Sequence, residues 1–374
     1  MRRKIRIRKL QAEKKALPTT ILLVSLAVIF SMIGLIFVFE ASSIRALQAT
    51  GDSFHFLKLQ VRWIGIGIAA MIFFSLYNYK QLYYFAFPLM AGVIILLLIV
   101  LIPSIGQQVG GARRWIDLGI ITIQPTEFAK FASIIYLASW FSKKEKNRFM
   151  PFLILTGFLI GLILMQPDMG TAIIIFALSI VMYFLAGQQL SYLLALIPLS
   201  IGGFIALIFA APYRLRRLTA FLNPSEDPLG VGFHINQILI SLSEGGMLGR
   251  GFGASRQKYL FLPEAHTDSI FAIIGEELGF VGGLLILFFY VVLLFKLYEI
   301  YKGASDAFAK LLCGGIFTFF GLQVMINLGG MVNLMPLTGV TLPFLSYGGS
   351  SMITSFMLLG IAINIARQAK LTAK

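Results

Sequence analysis

Five ionisable side chains lie close together in the segment LPEAHTDSIFAIIGEELGF, residues 262–280, of a chain with only 16 acidic residues in 374. They are Glu264, His266, Asp268, Glu276 and Glu277. A carboxylate in such a group can take a proton from an attacking hydroxyl as a general base. Carboxylates next to a histidine can also bind a metal ion. The segment is therefore the first candidate for a catalytic site.

The spacing of these residues distinguishes between a general base and a metal site. Pro263 suits the first position of a helix, with Glu264 in the first turn, where exposed N–H groups favour an acid. In a helix that begins at Pro263, Glu264 and Asp268 are four residues apart and share a face, whereas His266 points elsewhere. A metal site made of all three side chains is therefore disfavoured, and a single general base is favoured.

Basic residues near the ends of apolar runs form a second group that could bind an anion. Arginine and lysine bind phosphate oxygens through charge-assisted hydrogen bonds. Any one of them can instead be an anchor at the membrane surface or a salt-bridge partner of Asp117, Glu127 or Asp227. As a group at the depth of lipid headgroups, they match the diphosphate of a lipid-linked substrate better. The group comprises Arg113, Arg114, Lys130, Arg214, Arg216 and Arg217.

The composition of the chain indicates which structural elements hold these acidic and basic residues in position. Hydrophobic residues make up 58% of the chain and charged residues 13%, which is typical of an integral membrane protein. Apolar runs of roughly 17–25 residues predict membrane-spanning helices rather than the strands of a barrel. We predict an all-α polytopic membrane protein. Its ten helices are expected at residues 19–39, 61–77, 82–102, 125–142, 150–166, 170–186, 190–211, 269–296, 309–333 and 345–366.

The distribution of basic residues predicts the orientation of these spans. The segment MRRKIRIRKLQAEKK carries eight Lys and Arg residues, which favours a cytoplasmic N-terminus. Ten spans return the C-terminus to the same side. The predicted organisation is a basic cytoplasmic tail at 1–18, one transmembrane domain at 19–366 and a cytoplasmic tail at 367–374.

One long extracytoplasmic loop, residues 212–268, is predicted between the seventh and eighth spans. Loops of this length in compact proteins are usually functional or disordered. Residues 233–243 have apolar side chains at helical spacing, which predicts an interfacial or re-entrant amphipathic helix. GRGFG at 249–253 lacks the preceding strand and the following Lys-Ser or Lys-Thr of a nucleotide-binding loop, so a nucleotide site is rejected.

Small and polar residues at the outer ends of the spans suggest close packing around a cavity. Gly275, Gly279 and Gly283 follow Asp268 at helical spacing and predict a stripe for helix contact. The two glutamates between these glycines lie below the interface, where an acid needs a partner or a hydrated cavity. For the amides of the ninth span, hydrogen bonding between helices is the favoured interpretation. The remaining polar groups are Asp168, Gln323, Asn327, Asn333 and the SYGGSS segment at 346–351.

Four segments resemble those of the shape, elongation, division and sporulation (SEDS) family of cell-wall glycan polymerases. They are GARRWIDLG with IQPTEFAK at 111–130, QPDMGTA at 166–172, GRGFGASRQKYLFLPEAHTDSIFAIIGEELG at 249–279 and PLTGVTLPFLSYGGSS at 336–351. The resemblance covers nearly the whole chain. GARRW and LPEAHTD are more similar to the division branch, FtsW, than to the elongation branch, RodA. PLTGVTLPF is shared with the sporulation branch, SpoVE.

The resemblance implies an inverting peptidoglycan glycosyltransferase that uses lipid II. The 4-hydroxyl of a GlcNAc attacks the MurNAc anomeric carbon, a β-1,4 glycan strand grows and undecaprenyl diphosphate leaves. The acid of the HTD motif, Asp268, is then the catalytic residue. The chemistry agrees, because a diphosphate leaving group needs positive charge rather than a second carboxylic acid.

Further roles follow from this reaction. Arg114, Lys130, Arg216 and Arg217 are expected to bind the diphosphate. A divalent cation, Mg²⁺ or Mn²⁺, would suit the diphosphate, but the sequence contains no dedicated set of ligands for it. Residues expected to help position the substrate are Trp115, Glu264, Glu127 and Asp168.

The resemblance also implies partners and a location. Besides lipid II, we expect a class B penicillin-binding protein, a transpeptidase, to dock on the eighth and ninth spans and the outer loop, together with other divisome proteins. No nucleic acid is expected. The protein is expected in the bacterial cytoplasmic membrane, at the division septum.

Three alternatives remain open. One is an elongation-type polymerase of the same family. A lipid II flippase or other transporter would place ionisable residues near the bilayer midplane and often contain an inverted repeat, whereas the charges of this chain lie in the outer half. The third is a non-catalytic scaffold that recruits a transpeptidase.

Overall fold

The computed structural model is built mainly from helices. It describes residues 2–109, 111–119, 121–143, 148–224, 230–259 and 261–368, and the side chains of residues 2–18, 109 and 231 are outside this description. The predicted tail at 367–374 is therefore described only to residue 368, and the proposed salt-bridge partner Asp227 lies outside the described residues. The helices are α1 Arg2–Thr50, α2 His55–Leu76, α3 Tyr79–Ile99, α4 Pro125–Ser142, α5 Phe149–Leu164, α6 Met169–Leu185, α7 Leu190–Phe209, α8 Pro212–Leu222, α9 Val231–Gly245, α10 Ile270–Gly303, α11 Ala307–Met331 and α12 Gly349–Gln368.

The predicted spans correspond one to one with ten of these helices. Seven described helices are long and apolar enough to cross a membrane, namely α1 from Thr19, α2, α3, α7, α10, α11 and α12. Helices α5 and α6 are shorter apolar helices, and α4 carries the charged pair that interrupts its first turns. The all-α polytopic fold predicted from the sequence is confirmed.

Helix α1 extends well beyond its predicted span. Its 49 residues measure about 74 Å at 1.5 Å per residue, more than twice the hydrocarbon thickness of about 30 Å. Near its C-terminal end Glu40 accepts a hydrogen bond from Lys258 Nζ at 2.6 Å, and Arg45 lies 3.4 Å from Glu264. We call this end of the helix bundle, predicted to be extracytoplasmic, the outer end.

The centre of the bundle is formed by α11 and α12, whereas α7 stands at its edge. Helix α12 packs along α2 so closely that a Cβ atom on Gly67 would lie 2.4 Å from the Phe356 ring. Only Leu196 and Ile208 of α7 are buried, and this helix contacts α6 and α8. Most side chains of α7 are therefore not covered by the rest of the bundle.

A small sheet at residues 106–123 was not predicted. Strands β1 Gly106–Val109, β2 Ala112–Asp117 and β3 Thr122–Ile123 pair antiparallel in that order. Strand β2 contains the ARRW part of the motif and pairs Trp115 with Gln107. The sheet holds Arg114 against the bundle instead of leaving it in a free loop.

The described part of the outer loop contains two α-helices, of which one was predicted. Helix α9 confirms the amphipathic helix expected at 233–243. Helix α8 differs from the prediction, because the arginine cluster was placed in the loop and not on a helix. Pro212 occupies its first turn, a position where a missing N–H costs nothing, and the helix carries its arginines on successive turns.

Helix α10 differs from the prediction in two ways. It begins at Ile270 rather than Pro263, because residues 261–269 form turns in which Glu264 has φ +48°. Glu264 and Asp268 therefore do not share a helix face. The predicted glycine stripe is also interrupted, because Gly279 has φ +67° and breaks the helix into two segments.

The break at Gly279 is closed by backbone hydrogen bonds to the glycine-rich segment after α9. Carbonyls of Glu276 and Glu277 accept from the N–H groups of Arg250 and Gly251 at 3.0 and 3.1 Å. In return, Phe280 and Val281 donate to carbonyls of residues 246 and 247 at 2.9 and 3.1 Å. The helix break thus satisfies its freed backbone groups, as a membrane protein requires. We call this junction the glycine interlock, residues 245–251 with 275–281.

Candidate functional site

Asp268 stands in the turn that precedes α10, at the outer end of the bundle. The Thr267 hydroxyl donates to Asp268 Oδ1 at 3.2 Å and also lies 3.2 Å from Glu264 Oε2. A Cβ atom on Gly339 would lie 3.8 Å from Asp268 Oδ2. The connection from the last residue of α11 to the start of α12, which we call the 331–348 loop, therefore covers one side of the carboxylate. Thr267, rather than a shared helix face, brings the two acids together.

Asn327 of α11 fixes the backbone at Asp268. Its Nδ2 atom donates to the Asp268 carbonyl at 2.8 Å and to the Val340 carbonyl at 2.7 Å. One buried amide therefore ties the carboxylate-bearing turn to the 331–348 loop. For Asn327 this agrees with the predicted hydrogen-bonding role, although the acceptors are loop carbonyls and not another span. For Gln323 it does not, because neither polar atom of its buried side chain has a hydrogen-bond partner among the described residues.

The charges around Asp268 have opposite effects on its proton affinity. Burial raises the pKa of Asp268 above its usual range, and the nearby His234 partly opposes that rise. Burial also lowers the pKa of Arg217, whose neighbours include the charges of Arg114, Asp268 and Asp168. A carboxylate with a raised pKa can accept a proton near neutral pH more readily than an ordinary aspartate.

Helix α8 separates its three arginines into different environments. Arg217 is half-buried and donates to the Leu337 carbonyl at 3.4 Å, facing the charges around Asp268. Arg214 is buried and donates to the Leu207 carbonyl at 2.8 Å, which ties α8 to the end of α7. Arg216 is exposed. Of the two predicted diphosphate ligands on this helix, only Arg217 lies in the group around the carboxylate.

An apolar cavity lies directly beside these arginines. It has a volume of about 150 Å³ and is lined by side chains of α6, α7, α8, α11 and the 331–348 loop. Arg214 and Arg217 form its charged edge, and Phe204 and Ile326 are among its apolar lining residues. An apolar chain joined to an anionic headgroup matches this combination of surfaces.

Arg114 approaches the site from the small sheet. Its Nε atom donates to the Gln166 carbonyl at 3.0 Å, and its Nη2 atom donates to the Pro167 carbonyl. The next residue, Asp168, caps helix α6 by accepting from Thr171 N at 3.1 Å and also accepts from Thr126 Oγ1 at 3.2 Å. Asp168 is thus engaged in holding the turn on which Arg114 rests.

Trp115 and Glu264 lie at the margin of the site. Trp115 is half-buried on β2, beside Arg114 in sequence. Glu264 is exposed and shares the Thr267 hydroxyl with Asp268. Both remain predictions as residues that position the substrate.

Lys130 and Glu127 lie in the core rather than in the outer cavity. Lys130 is 1% exposed, and its Nζ atom is 2.7 Å from Glu127 Oε1 and 5.6 Å from the centre of the Phe319 ring. The salt bridge considered for Lys130 in the sequence is therefore formed. A direct contact between Lys130 and a diphosphate would require this buried pair to open, so the ligand role stays a prediction.

Glu276 and Glu277 hold the loop that follows the glycine interlock. Glu276 accepts from Arg256 N at 2.9 Å and from the Ser255 hydroxyl at 2.5 Å. Glu277 accepts from the N–H groups of Gly253 and Ser255 at 2.9 and 3.2 Å. The partners that an acid at this depth requires are thus supplied by the loop, and both glutamates have structural roles.

His266 is enclosed by aromatic rings and is not placed to act as a base. Its ring lies 4.6 Å from that of Phe56 and 5.4 Å from that of Tyr347, measured between centroids. Burial lowers the pKa of His266 to about 4. Among the described residues, no group of three or more His, Cys, Asp or Glu side chains is arranged to bind a metal ion.

Sequence reasoning did not identify His234 as part of this site. Its Nε2 atom lies 2.8 Å from Ser269 Oγ, next to Asp268. The contact joins residues 35 positions apart, so no local pattern indicates it. His234 is one of several polar residues of α9, with Asn236, Gln237 and Ser241 among the others, so its residue type alone did not single it out.

A model of a protein family described as "Cell cycle protein", covering FtsW, RodA and SpoVE, matches residues 20–371. Stage V sporulation protein E of Bacillus subtilis strain 168 is 43% identical over 365 residues, which are 96% of this chain and 99% of that protein. The probable peptidoglycan glycosyltransferase FtsW of Escherichia coli O6:H1 is 40% identical over 341 residues, covering 87% of this chain and 81% of that protein.

Two solved structures have a similar fold. The crystal structure of the rod shape determining protein RodA of Thermus thermophilus has a TM-score of 0.69 and 28% identity, covering 92% of this chain and 96% of RodA. A chain from a structure described as "Structural coordination of polymerization and crosslinking by a peptidoglycan synthase complex" has a TM-score of 0.77 and 29% identity, covering 93% and 97%.

Proposed function

Because the chain belongs to the SEDS family of FtsW, RodA and SpoVE, we propose that it is a peptidoglycan glycosyltransferase that polymerises lipid II. The observation that carries this proposal is the grouping of the Asp268 carboxylate with Arg217 and Arg114 beside an apolar cavity. The carboxylate can act as base, and the arginines can accommodate a diphosphate whose lipid chain enters the cavity. The arrangement thus offers a base for the attacking hydroxyl, positive charge for the leaving diphosphate and a cavity for the lipid chain.

In the proposed reaction, the 4-hydroxyl of a GlcNAc attacks the MurNAc anomeric carbon of the growing strand from the face opposite the diphosphate. Asp268 takes the hydroxyl proton as the new C–O bond forms. The bond between the anomeric carbon and the diphosphate oxygen breaks, and its electron pair leaves with undecaprenyl diphosphate. Arg217 and Arg114 stabilise the negative charge that develops there. The product is a β-1,4 glycan strand.

Purified full-length protein given lipid II distinguishes this activity from its alternatives. We expect glycan polymer that is resolved by gel electrophoresis and digested by a muramidase. Transfer of lipid II across a vesicle membrane without polymer would instead identify a flippase. Neither polymer nor transfer from a folded preparation, supplied with its transpeptidase partner, would identify a scaffold.

Arg217 and Arg216 provide a matched pair for testing the diphosphate assignment. We expect Arg217→Ala to lower kcat/KM about a hundredfold, because one donor to a developing negative charge contributes about that much. Arg216→Ala removes the same charge from an exposed side chain of the same helix and should lower kcat/KM by about fivefold or less, through longer-range attraction of the anionic lipid. Steady-state rates with lipid II measure both. Equal losses from the two variants would contradict the placement of the diphosphate beside Arg217.

For the cellular role, we propose septal wall synthesis. The GARRW and LPEAHTD motifs support the division branch. The 43% identity with stage V sporulation protein E, against 40% with the E. coli FtsW, favours a sporulation role as the second candidate. Imaging a functional fluorescent fusion during vegetative division decides between them. A septal signal is expected, whereas a signal seen only in sporulating cells would support the second candidate.

We propose a class B penicillin-binding protein as the partner, docked on α10 and the outer loop. Helix α11, the other half of the predicted surface, is mostly buried within the bundle. The second segment of α10 instead exposes a row of large apolar side chains that continues into Met247 and Leu248 of the loop. Photocrosslinking from Leu248, compared with exposed Tyr84 of α3, tests this surface. Equal crosslinking from both positions would contradict it.

A further inference from the structure

A histidine of α9 contacts the residue that follows Asp268. His234 Nε2 lies 2.8 Å from the hydroxyl of Ser269, which is fully buried at the N-cap position of α10. A serine at this position usually accepts a hydrogen bond from a backbone N–H group in the first turn. The Ser269 side chain makes no such cap. Its hydroxyl is directed to His234 and links α9 to the carboxylate-bearing turn.

The charges that face His234 come from two neighbouring elements. The turn before α10 contributes Asp268 and Glu264, and α8 contributes Arg217. Burial lowers the pKa of His234, the two carboxylates oppose this effect, and Arg217 adds to it. Farther along α9, Glu276 meets Ser241 on a later turn. Helix α11 has one charged residue, Lys310, near the end opposite Asn327.

The remaining arginines of α8 are directed elsewhere. Arg214 donates to the Leu207 carbonyl and to the Tyr213 hydroxyl, and Arg216 is exposed. On α9 itself, Glu244 pairs with Arg250 near the glycine interlock. The charges that act on His234 are therefore those of Asp268, Glu264 and Arg217.

We propose that His234 is a positioning residue for Asp268: its contact with Ser269 fixes the turn that carries the carboxylate and holds the imidazole near that carboxylate. The inference rests on the proposed role of Asp268 as base. His234 does not touch the substrate, and it acts through Ser269 and through its charge.

The two effects predict different consequences of losing each partner. Protonated His234 lowers the proton affinity of Asp268, so the carboxylate remains a base at a lower pH than it would alone. Without the imidazole, Asp268 is protonated at higher pH, because burial still disfavours its charge. Without the Ser269 hydroxyl, the imidazole charge remains, but the turn loses a side-chain hydrogen bond.

The test compares full-length wild type with His234→Gln and Ser269→Ala, using lipid II polymerisation from about pH 5 to pH 8, where histidine titrates. For His234→Gln we expect the acid limb of kcat to move to higher pH. Relative to wild type, kcat should fall about threefold at the alkaline end and about thirtyfold at the acid end. For Ser269→Ala we expect a fall of about fivefold at every pH, with KM within twofold of wild type and an unmoved acid limb.

His55→Gln is the matched control. Of the two other histidines, His266 lies two residues from Asp268, whereas His55 lies at the start of α2 beside Phe56. Its acid limb should coincide with that of wild type. A purely structural role for His234 would lower the rate equally at all pH values, and an acid limb that is unmoved or moves to lower pH overturns the inference. If His234→Gln does not fold, an unchanged kcat in Ser269→Ala overturns it. Absence of polymer from wild type would instead refute the proposed function itself.

Discussion

Replacing Asp268 by Asn is expected to lower the rate of lipid II polymerisation about a thousandfold, because a positioned general base contributes roughly 10² to 10⁴ in rate. Asn has the shape of Asp but cannot accept a proton from the attacking hydroxyl. The described hydrogen bond from Thr267 to Asp268 Oδ1 can be kept by the amide oxygen. Initial rates of polymer formation by purified protein measure the effect.

Folding of the Asp268→Asn protein should be unaffected. Burial raises the pKa of Asp268, which means that its surroundings disfavour the charge that Asn removes. The melting temperature is therefore expected to stay the same or to rise. This separates loss of the base from loss of the fold.

Glu264→Gln is the matched control for the carboxylate. Glu264 lies four residues earlier and shares the Thr267 hydroxyl, but it is exposed and pairs with Arg45 at 3.4 Å. We expect a loss of about tenfold or less. If Glu264→Gln lost as much activity as Asp268→Asn, the assignment of a single base would be wrong.

Replacing Gly249 by Ala is expected to prevent accumulation of folded protein, through a loss of at least about 4 kcal/mol in the free energy of unfolding. A Cβ atom on Gly249 would lie 2.1 Å from the Glu277 carbonyl oxygen, within the glycine interlock. Gly249 also has φ +80°, which a side chain disfavours. Both contacting segments are backbone held by mutual hydrogen bonds, so neither can move without breaking them.

Gly253→Ala separates the clash from the backbone strain. Gly253 lies in the same loop at φ +77°, but a Cβ atom there would meet no atom within 4 Å. It should lower the free energy of unfolding by about 1 kcal/mol, the usual cost of a left-handed alanine. Thermal melting in detergent, followed by size-exclusion chromatography, compares the two. Similar melting of both variants would show that the interlock tolerates a side chain.

Much of the fold could be predicted from the sequence, because lipid imposes a simple requirement on each span. A run of about 20 apolar residues is visible without knowledge of its partners. The amphipathic helix α9 is equally local, since its apolar spacing alone indicates it. These are the elements where prediction and structure agree.

The features that the sequence did not reveal depend on contacts between distant residues. Helix α10 begins late because the turn at Glu264 is stabilised by Thr267 and by contacts with the 331–348 loop. Its break at Gly279 is stable only because the segment after α9 supplies replacement hydrogen bonds. Glycines at helical spacing are equally compatible with an unbroken helix, so the sequence pattern did not indicate the break.

In the candidate site, too, the features with a local sequence pattern could be predicted and those that depend on distant contacts could not. Asp268, Arg114 and Arg217 could be selected because each carries a charge at a predicted span end. Lys130 fits the same pattern, but it forms a buried ion pair with Glu127 and lies in the core. Asn327 donates hydrogen bonds to backbone carbonyl groups, and no side-chain motif indicates which carbonyls accept them.

The most direct test of the proposed function measures glycosidic bonds formed and undecaprenyl diphosphate released in one reaction with lipid II. We predict that wild type releases one undecaprenyl diphosphate for each β-1,4 bond, and that folded Asp268→Asn protein carries out both about a thousandfold more slowly. Polymer formation by Asp268→Asn at the wild-type rate would contradict the central role of Asp268.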